Sequence, residues 1–130
     1  MKERKILVVD DDPSILDTLD EFLDMEGYSV QTAINGQDAL GRLKYTNPSL
    51  VLLDMRMPVL DGWGFAKALQ ELGLKIPVLV MTAAQDARQW AEEVGAAGYV
   101  SKPFDLSELL AMVERTILQH GPGPCAQGAS

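Results

Sequence analysis

The chain has 130 residues, a formal net charge of −8 at pH 7 and 47% hydrophobic residues. This size and composition predict one globular domain, and the apolar runs are too short to span a membrane. The excess of acidic residues repels phosphate backbones, so we expect metal cations or basic proteins as partners and no direct binding of nucleic acid. The single cysteine excludes an internal disulfide, and the first apolar run stops at acidic residues before it reaches signal-peptide length. We therefore expect a cytoplasmic protein.

Short apolar runs alternate along the chain with segments whose apolar residues recur every three or four positions. The runs predict five strands, at residues 5–10, 28–33, 49–54, 77–82 and 98–101. Most of these runs are apolar on both faces. That pattern is typical of parallel strands that helices cover on both sides of the sheet.

Capping and turn residues predict where five helices begin and end. The predicted caps or first residues are Pro13 with Ser14, Asn35 with Gly36, Asp61 with Gly62, Asp86, and Asp105. The predicted ends of the first three helices are Gly27, Asn47 with Pro48, and Gly73. The fourth helix carries few large apolar residues, so we expect it to be the least firmly docked. Trp63 and Trp90 lie at helical positions, where packing is commoner than ligand stacking.

The alternation of strands and helices predicts an α/β fold, with a doubly wound five-stranded parallel sheet and five helices. The strand order 2-1-3-4-5 of a flavodoxin-like three-layer sandwich places the switch point between the first and third strands. We expect residues 1–120 to form this domain. The Gly/Pro-rich residues 121–130 are predicted to form a linker or a disordered tail.

Chemically active side chains lie at the carboxyl ends of four predicted strands. Asp10 and Asp11 follow the first apolar run, Asp54 the third, Thr82 the fourth and Lys102 the fifth. A parallel sheet brings such residues into one crevice, where three carboxylates repel one another unless a cation shares the space. Oxygen ligands without a nearby His or Cys favour Mg²⁺, with Mn²⁺ as a substitute. The set is suited to phosphoryl transfer, with Asp54 as the nucleophile.

Five short motifs give the chain a resemblance to a known family. They are Val9-Asp10-Asp11-Asp12-Pro13, Leu53-Asp54-Met55-Arg56-Met57-Pro58, Asp61-Gly62, Met81-Thr82-Ala83 and Gly98-Tyr99-Val100-Ser101-Lys102-Pro103-Phe104. With these motifs in this order and spacing, from about Lys5 to Leu118, the chain resembles the receiver domain of response regulators in two-component signalling, including the chemotaxis regulators.

The resemblance implies a site that is phosphorylated on an aspartate. It makes Asp54 the phosphoacceptor, and it assigns Mg²⁺ to Asp10, Asp11, Asp54 and the backbone carbonyl of Arg56, which leaves the Arg56 side chain free to vary. Lys102 is then expected to pair with the phosphoryl group. The implied donor is a sensor histidine kinase or a histidine phosphotransfer protein. The chain is not expected to be an enzyme, beyond catalysing its own phosphorylation and dephosphorylation.

The resemblance also implies a switch. Thr82 is expected to hydrogen-bond a phosphoryl oxygen, and Tyr99 to turn inward when it does. The Lys102–Pro103 peptide bond is expected to be cis, which X-Pro bonds tolerate. Repacking of the fourth helix would then present the face formed by helix 4, strand 5 and helix 5 to a downstream protein or to an attached effector domain.

Two alternatives to this function stay open. The run Asp10-Asp11-Asp12-Pro13-Ser14 also satisfies the pattern of haloacid-dehalogenase-type phosphatases, with Asp10 as the nucleophile and Mg²⁺ as the cofactor. That family needs a later acidic pair, whereas only Asp105 and Glu108 follow the lysine, and Asp54 is left without a role. The second alternative is a protein-interaction module that is not phosphorylated.

The mode of output is also open. Receivers of winged-helix transcription factors usually carry paired acids before the switch aromatic and an arginine in the last helix. Those positions are Ala97, Gly98 and Met112 here, so we do not expect their charged dimer face. A stand-alone receiver, a kinase-linked receiver and a receiver cut before an effector domain are all compatible with the sequence.

Overall fold

The protein folds as a parallel sheet between two layers of helices. The structure is a computed structural model, and it describes residues 4–57 and 59–120. Its strands are β1 (Lys5–Val9), β2 (Ser29–Ala33), β3 (Leu50–Asp54), β4 (Val78–Ala83) and β5 (Gly98–Lys102). Its helices are α1 (Pro13–Met25), α2 (Gly36–Arg42), α3 (Gly62–Glu71), α4 (Ala84–Val94) and α5 (Leu106–His120).

The five strands lie in the order β2-β1-β3-β4-β5, and every neighbouring pair is parallel. This confirms the predicted doubly wound α/β fold with its order 2-1-3-4-5 and five helices. Within residues 4–57 and 59–120, no helix is long and apolar enough to cross a membrane. The predicted linker or tail at residues 121–130 lies outside the described residues.

The strand register brings the carboxyl ends of the strands to one edge of the sheet. Val9 of β1 aligns with Leu53 of β3, Asp54 aligns with Met81 of β4, and Ala83 aligns with Lys102 of β5. Residues at the ends of β1, β3, β4 and β5 therefore surround one crevice, which is where open α/β sheets bind their ligands.

Two hydrophobic clusters cover the two faces of the sheet. Because side chains alternate along a strand, Val9 and Leu53 belong to one cluster and Val8 and Leu52 to the other. The first cluster includes residues of α2, α3 and α4, and the second includes residues of α1 and α5. β1 and β3 are buried from both sides, so their ends are held rigidly by the core.

Side-chain caps fix the start of four helices. Asp12 accepts a hydrogen bond from the Ser14 amide at 2.9 Å, Asn35 from Asp38 at 2.8 Å, and Asp61 from Gly64 at 2.9 Å. Asp105 accepts from the amides of Ser107 and Glu108 at 2.8 and 3.2 Å. Each carboxylate or amide oxygen satisfies a helix N–H that has no partner inside the helix.

Two predicted helix boundaries are wrong. α2 ends at Arg42 rather than at Asn47, because the amides of Lys44 and Tyr45 bond carbonyls only three residues back, those of Gly41 and Arg42, at 3.3 and 3.0 Å, and this tightens the chain into turns. α4 begins at Ala84, directly after β4, so its cap position falls on Ala83, which makes no side-chain bond. Asp86 lies inside the first turn, where its charge still favours the helix N-terminus.

Gly62 allows the start of α3 to press against the end of β3. Its amide donates to the Met55 carbonyl at 3.0 Å. A Cβ atom at position 62 would lie 2.8 Å from the Met55 Cα and 3.0 Å from the Asp54 carbonyl oxygen. These are backbone atoms that cannot rotate away, so only glycine fits without moving Asp54.

We expect Gly62→Ala to destabilise the domain by about 1–3 kcal/mol, the usual effect of overpacking. Gly41→Ala is the matched control, because nothing lies within 4 Å of a Cβ atom there. Alanine at that position in α2 should stabilise the domain by up to about 1 kcal/mol. Urea denaturation of the three proteins measures both effects. Equal stability of Gly62→Ala and the unsubstituted protein would contradict the close approach.

Candidate functional site

Three carboxylates converge at the crevice between β1 and β3. Asp10 is fully buried, Asp54 is 6% exposed and Asp11 is exposed. One oxygen of each carboxylate lies within 4.8 Å of the others. Asp10 and Asp11 follow β1 and Asp54 ends β3, so the strand pairing itself produces the cluster.

Lys102 spans the two buried carboxylates. Its Nζ donates to Asp10 Oδ2 at 3.0 Å and to Asp54 Oδ1 at 3.4 Å. The Lys102–Pro103 peptide bond at the end of β5 is cis. The second oxygen of Asp10 accepts the Asp12 amide at 2.9 Å, so Asp10 is bonded through both of its oxygens.

The buried charges perturb one another. Burial, followed by the charge of Asp10, raises the pKa of Asp54 from 3.8 to about 6, and Lys102 offsets only part of this rise. Burial also raises the pKa of Asp10, against the effect of the Asp12 amide and Lys102. For Lys102, burial favours a lower pKa, but its bonds to Asp10 and the charges of both aspartates outweigh burial and raise the pKa. The cluster is thus deficient in positive charge.

The cluster fits a divalent metal ion. Its ligand atoms are carboxylate oxygens on three side chains that already lie close together, and one ammonium group does not neutralise them. Hard cations such as Mg²⁺ and Mn²⁺ bind oxygen ligands of this kind and retain water on their open positions. A second cation beside Asp54 would relieve the repulsion that raises its pKa.

A family model described as the response regulator receiver domain matches residues 6–114. The chain belongs to this receiver family.

The curated relatives of this chain include regulators of about twice its length. The chain is 40% identical over 119 residues to the transcriptional regulatory protein PrrA of Mycobacterium leprae, covering 90% of this chain and 51% of that protein. It is 41% identical over 126 residues to the probable transcriptional regulator ycf27 of Cyanophora paradoxa, covering 95% of this chain and 52% of that protein. The receiver chain thus spans about half the length of the curated relatives it matches.

Three solved structures share the fold over nearly their whole length. The receiver domain of the Francisella response regulator 1452 superposes with a TM-score of 0.82 at 28% identity, covering 91% of this chain and 99% of that one. The Vibrio cholerae chemotaxis protein CheY4 gives 0.79 at 32%, covering 87% and 98%. The receiver domain of a histidine kinase from Syntrophus aciditrophicus gives 0.82 at 30%, covering 92% and 93%.

The residues that the phosphatase alternative requires have another use in this receiver. Asp105 caps α5, and the group of carboxylates within metal-binding distance contains Asp10, Asp11 and Asp54. Asp54, which that alternative leaves without a role, lies inside the group. Nothing in the described residues therefore favours the phosphatase.

The predicted switch residues lie on β4 and β5, the two strands that follow β3 in the sheet. Thr82 is 6% exposed at the end of β4, and it lines a cavity of about 460 Å³ together with Asp54 and Lys102. Tyr99 of β5 is 41% exposed, so much of its ring lies in solvent. The structure brings Thr82 to the acidic cluster and leaves Tyr99 on the outer side.

The sequence did not predict a role for the side chains of Arg56 and Trp90 at this cavity. Both line it, and the Arg56 guanidinium lies 5.1 Å from the centre of the Trp90 ring. Trp63 packs edge-on against Trp90, with the ring centres 4.9 Å apart. A contact between the β3–α3 loop and α4 leaves no pattern in the local sequence. The sequence therefore predicted only that the two tryptophans are packed.

The raised pKa of Asp54 predicts that Asp54→Asn stabilises the metal-free receiver. The Asp54 carboxyl group has a pKa of about 6 in the folded chain and 3.8 in the unfolded chain. Its ionisation therefore lowers the free energy of unfolding as the pH rises between those values, and asparagine does not ionise. We therefore expect the gain from Asp54→Asn to be about 1 kcal/mol larger near about pH 8 than near about pH 5.

Urea denaturation in the presence of a chelator measures this difference. Asp12→Asn is the control, because asparagine preserves the helix cap and position 12 is exposed. A smaller stabilisation by Asp54→Asn at the higher pH would contradict the assigned pKa.

Proposed function

We propose that this cytoplasmic receiver accepts a phosphoryl group on Asp54 from a sensor histidine kinase or a histidine phosphotransfer protein. The observation that carries this proposal is the contact of Lys102 with both buried aspartates, beside the exposed Asp11. A carboxylate that can act as a nucleophile thus lies beside an ammonium group and two further carboxylates that can hold a metal ion, and this combination supports phosphoryl transfer. The family to which the chain belongs supports the same function.

The transfer requires little of the protein beyond positioning and charge. An Asp54 oxygen forms a bond to phosphorus as the bond from phosphorus to the donor imidazole nitrogen breaks. The imidazole leaves with the electron pair and takes a proton from solvent. Bound Mg²⁺, held by Asp10, Asp11, Asp54 and the Arg56 carbonyl, would neutralise the phosphoryl oxygens.

Lys102 lies close enough to Asp54 to pair with a phosphoryl group there. Its Nζ lies 3.4 Å from Asp54 and is anchored by its shorter bond to Asp10. Phosphorylation adds negative charge and three acceptor oxygens at Asp54, so the ammonium group gains a stronger partner without leaving the site. Thr82 lines the same cavity and supplies a hydroxyl donor.

Lys102 alone is too weak to act as the switch. Inverting a two-state population from about 1:99 to 99:1 takes roughly 5.5 kcal/mol, whereas one such charge pair near a surface contributes at most about 4 kcal/mol before desolvation. Thr82 must therefore contribute as well. We infer that Thr82 moves towards the phosphoryl group, that the exposed Tyr99 ring takes the space it leaves, and that the face formed by α4, β5 and α5 changes.

The changed face would act on a downstream protein or on an attached effector domain. Transcriptional regulators of about twice this length, a chemotaxis protein and a histidine kinase receiver are all among the similar proteins. The residues Ala97, Gly98 and Met112 remain an argument against the charged dimer face of winged-helix regulators. The acidic surface gives no reason to propose direct contact of this chain with nucleic acid.

Incubation with Mg²⁺ and acetyl phosphate should add one hydroxylamine-labile phosphoryl group to each chain, because an acyl phosphate forms at Asp54. Intact-mass spectrometry measures it. Asp54→Asn and addition of a chelator should each reduce the phosphorylated fraction by at least about tenfold. Asp12→Asn is the matched control from the same acidic run and should be phosphorylated normally, since position 12 only caps α1. Steady release of phosphate that persists in Asp54→Asn would refute the proposal.

The Thr82–Tyr99 relay can be followed by fluorine NMR. Tyr28→Phe with Tyr45→Phe leaves Tyr99 as the one tyrosine of the three in the chain, and fluorotyrosine then reports its environment. We expect beryllofluoride, which mimics the phosphoryl group, to shift the Tyr99 resonance towards that of a buried ring. Thr82→Ser, which keeps the hydroxyl, should preserve the shift and Thr82→Ala should abolish it. An undiminished shift in Thr82→Ala would count against the relay.

A further inference from the structure

An open apolar groove, the α2–α3 groove, lies between the ends of α2 and α3. It has a volume of about 380 Å³, and it shares no lining residue with the cavity at Asp54. Two leucines from each helix end form its apolar walls, namely Leu40, Leu43, Leu72 and Leu74. Leu72 is 63% exposed and Leu74 is 40% exposed, so the groove leaves apolar surface in contact with water.

Gly41, in the last turn of α2, leaves the groove open at this point. A glycine inside a helix lowers stability relative to alanine. Its φ is not positive and nothing lies within 4 Å of a Cβ atom there, so no described contact within this chain requires glycine. The other glycines that the structure describes have such a reason, either a positive φ or an atom within 2.8 Å of the added Cβ: Gly27, Gly36, Gly62, Gly64, Gly73, Gly95 and Gly98. The open space beside Gly41 therefore favours the approach of another molecule.

Backbone hydrogen bonds hold the walls of the groove in place. Gly73 has a φ of +72°, and the Leu74 amide after it donates to the Leu69 carbonyl at 3.0 Å, which closes the end of α3. On the other wall, the Leu43 amide donates to the Ala39 carbonyl at 3.1 Å. Because the backbone of both walls is already ordered, a molecule that binds between them loses little free energy to ordering the protein.

The charge of the groove is opposite to that of the whole chain. Lys44 is the one charged residue among the described residues that line it, and no carboxylate lines it. In the part of the chain that the structure describes, no ion pair neutralises Lys44. The two segments that build the groove, residues 36–49 and 62–77, hold four basic and two acidic side chains, whereas the chain has a net charge of −8. The groove therefore attracts an acidic partner.

We propose that the α2–α3 groove binds an amphipathic helix of a partner protein, with the apolar side chains of that helix between the leucines and its acidic side chains beside Lys44. A helix fits this groove better than an extended peptide does. The lining residues belong to helix ends and not to strands, so they offer no strand edge, and a helix satisfies its own backbone hydrogen bonds. The missing side chain at Gly41 lets the partner backbone come close to α2.

Two other occupants fit the groove less well. Residues 121–130 contain no acidic residue and no leucine, isoleucine, valine, methionine or aromatic residue, so they lack both features that the groove recognises. A second copy of this chain could offer the acidic residues of α1. That contact would join two different surfaces and extend from copy to copy without closing, and the net charge of −8 opposes it.

The test uses a fluorescent peptide of about 16 residues, long enough to form a helix. It contains Ala, Gln and Glu, with Leu at every third or fourth position so that the leucines share one helix face. One matched peptide has Lys in place of Glu, and another has Ala in place of Leu. Fluorescence anisotropy measures binding to the full chain. We expect saturable binding of the acidic peptide, affinity at least about fivefold lower for the basic peptide, and no saturable binding of the peptide without leucine.

Gly41→Leu tests whether the groove is the binding site. The added side chain enters the open space, so the affinity for the acidic peptide should fall at least about tenfold. Leucine is also a better helix former than glycine, so the fold should be kept, and circular dichroism with urea denaturation checks this. Ala111→Leu is the matched control, since it adds a leucine to an exposed position of α5, in the other helix layer, and should leave the affinity unchanged.

Lys44→Glu tests the charge of the groove. It should weaken binding of the acidic peptide by about threefold to fivefold and strengthen binding of the basic peptide by a similar factor. Damage to the groove would instead weaken both. Arg115→Glu makes the same change in charge at an exposed position of α5, and both affinities should stay within about twofold of the unsubstituted protein.

Equal binding of the three peptides, or equal losses in Gly41→Leu and Ala111→Leu, would overturn the inference. Sedimentation of the chain without peptide tests the second copy. Self-association that Gly41→Leu abolishes, together with no saturable binding of the acidic peptide, would also overturn the inference and would assign the groove to a second copy. These results leave the proposed function intact, because the groove and the cavity at Asp54 have no lining residue in common.

Discussion

The structure depends on one electrostatic constraint. The buried carboxylates of Asp10 and Asp54 repel each other, and the Lys102 ammonium group offsets part of that repulsion. Asp10 and Asp54 have little contact with water, and the pairing of β1 with β3 forces them together. Lys102 reaches both from β5, on the far side of β4. An unpaired buried charge is strongly destabilising, so Lys102 and the Asp12 amide must share the charge of this pair, and a bound cation would share it further. Any gain of negative charge at Asp54 must redistribute these partners.

Most of the fold and the acidic cluster could be predicted because their signals are local. A buried parallel strand is an apolar run, and the residue that ends it reaches the crevice regardless of what lies elsewhere. The positions of Asp10, Asp54, Thr82 and Lys102 follow from this rule and from the strand order alone. The helix starts predicted at Pro13, Asn35, Asp61 and Asp105 have local signals as well, since a cap bonds an amide two or three residues away.

The features that sequence reasoning missed depend on contacts between distant residues. Trp63 and Glu93 are thirty positions apart, and Arg56 meets Trp90 only after α4 has docked beside the β3–α3 loop. The two wrong boundaries have a local origin instead. α2 ends where the backbone changes to hydrogen bonds between residues three apart, although Asn47 and Pro48 are the stronger sequence signals for a stop. α4 starts early because β4 runs directly into it, which a search for capping residues cannot detect.

That direct junction between β4 and α4 has a mechanical consequence. Thr82 lies inside the strand, Ala83 is its last residue, and Ala84 is the first residue of the helix. A loop would absorb a small shift of the strand end by changes in its backbone torsions. Here no loop residue separates Thr82, whose hydroxyl lies at the cavity, from the start of α4 except Ala83, the last residue of the strand. A displacement of Thr82 towards the cavity would therefore be transmitted to the first turn of α4 and, because the helix is rigid, along its length towards Val94.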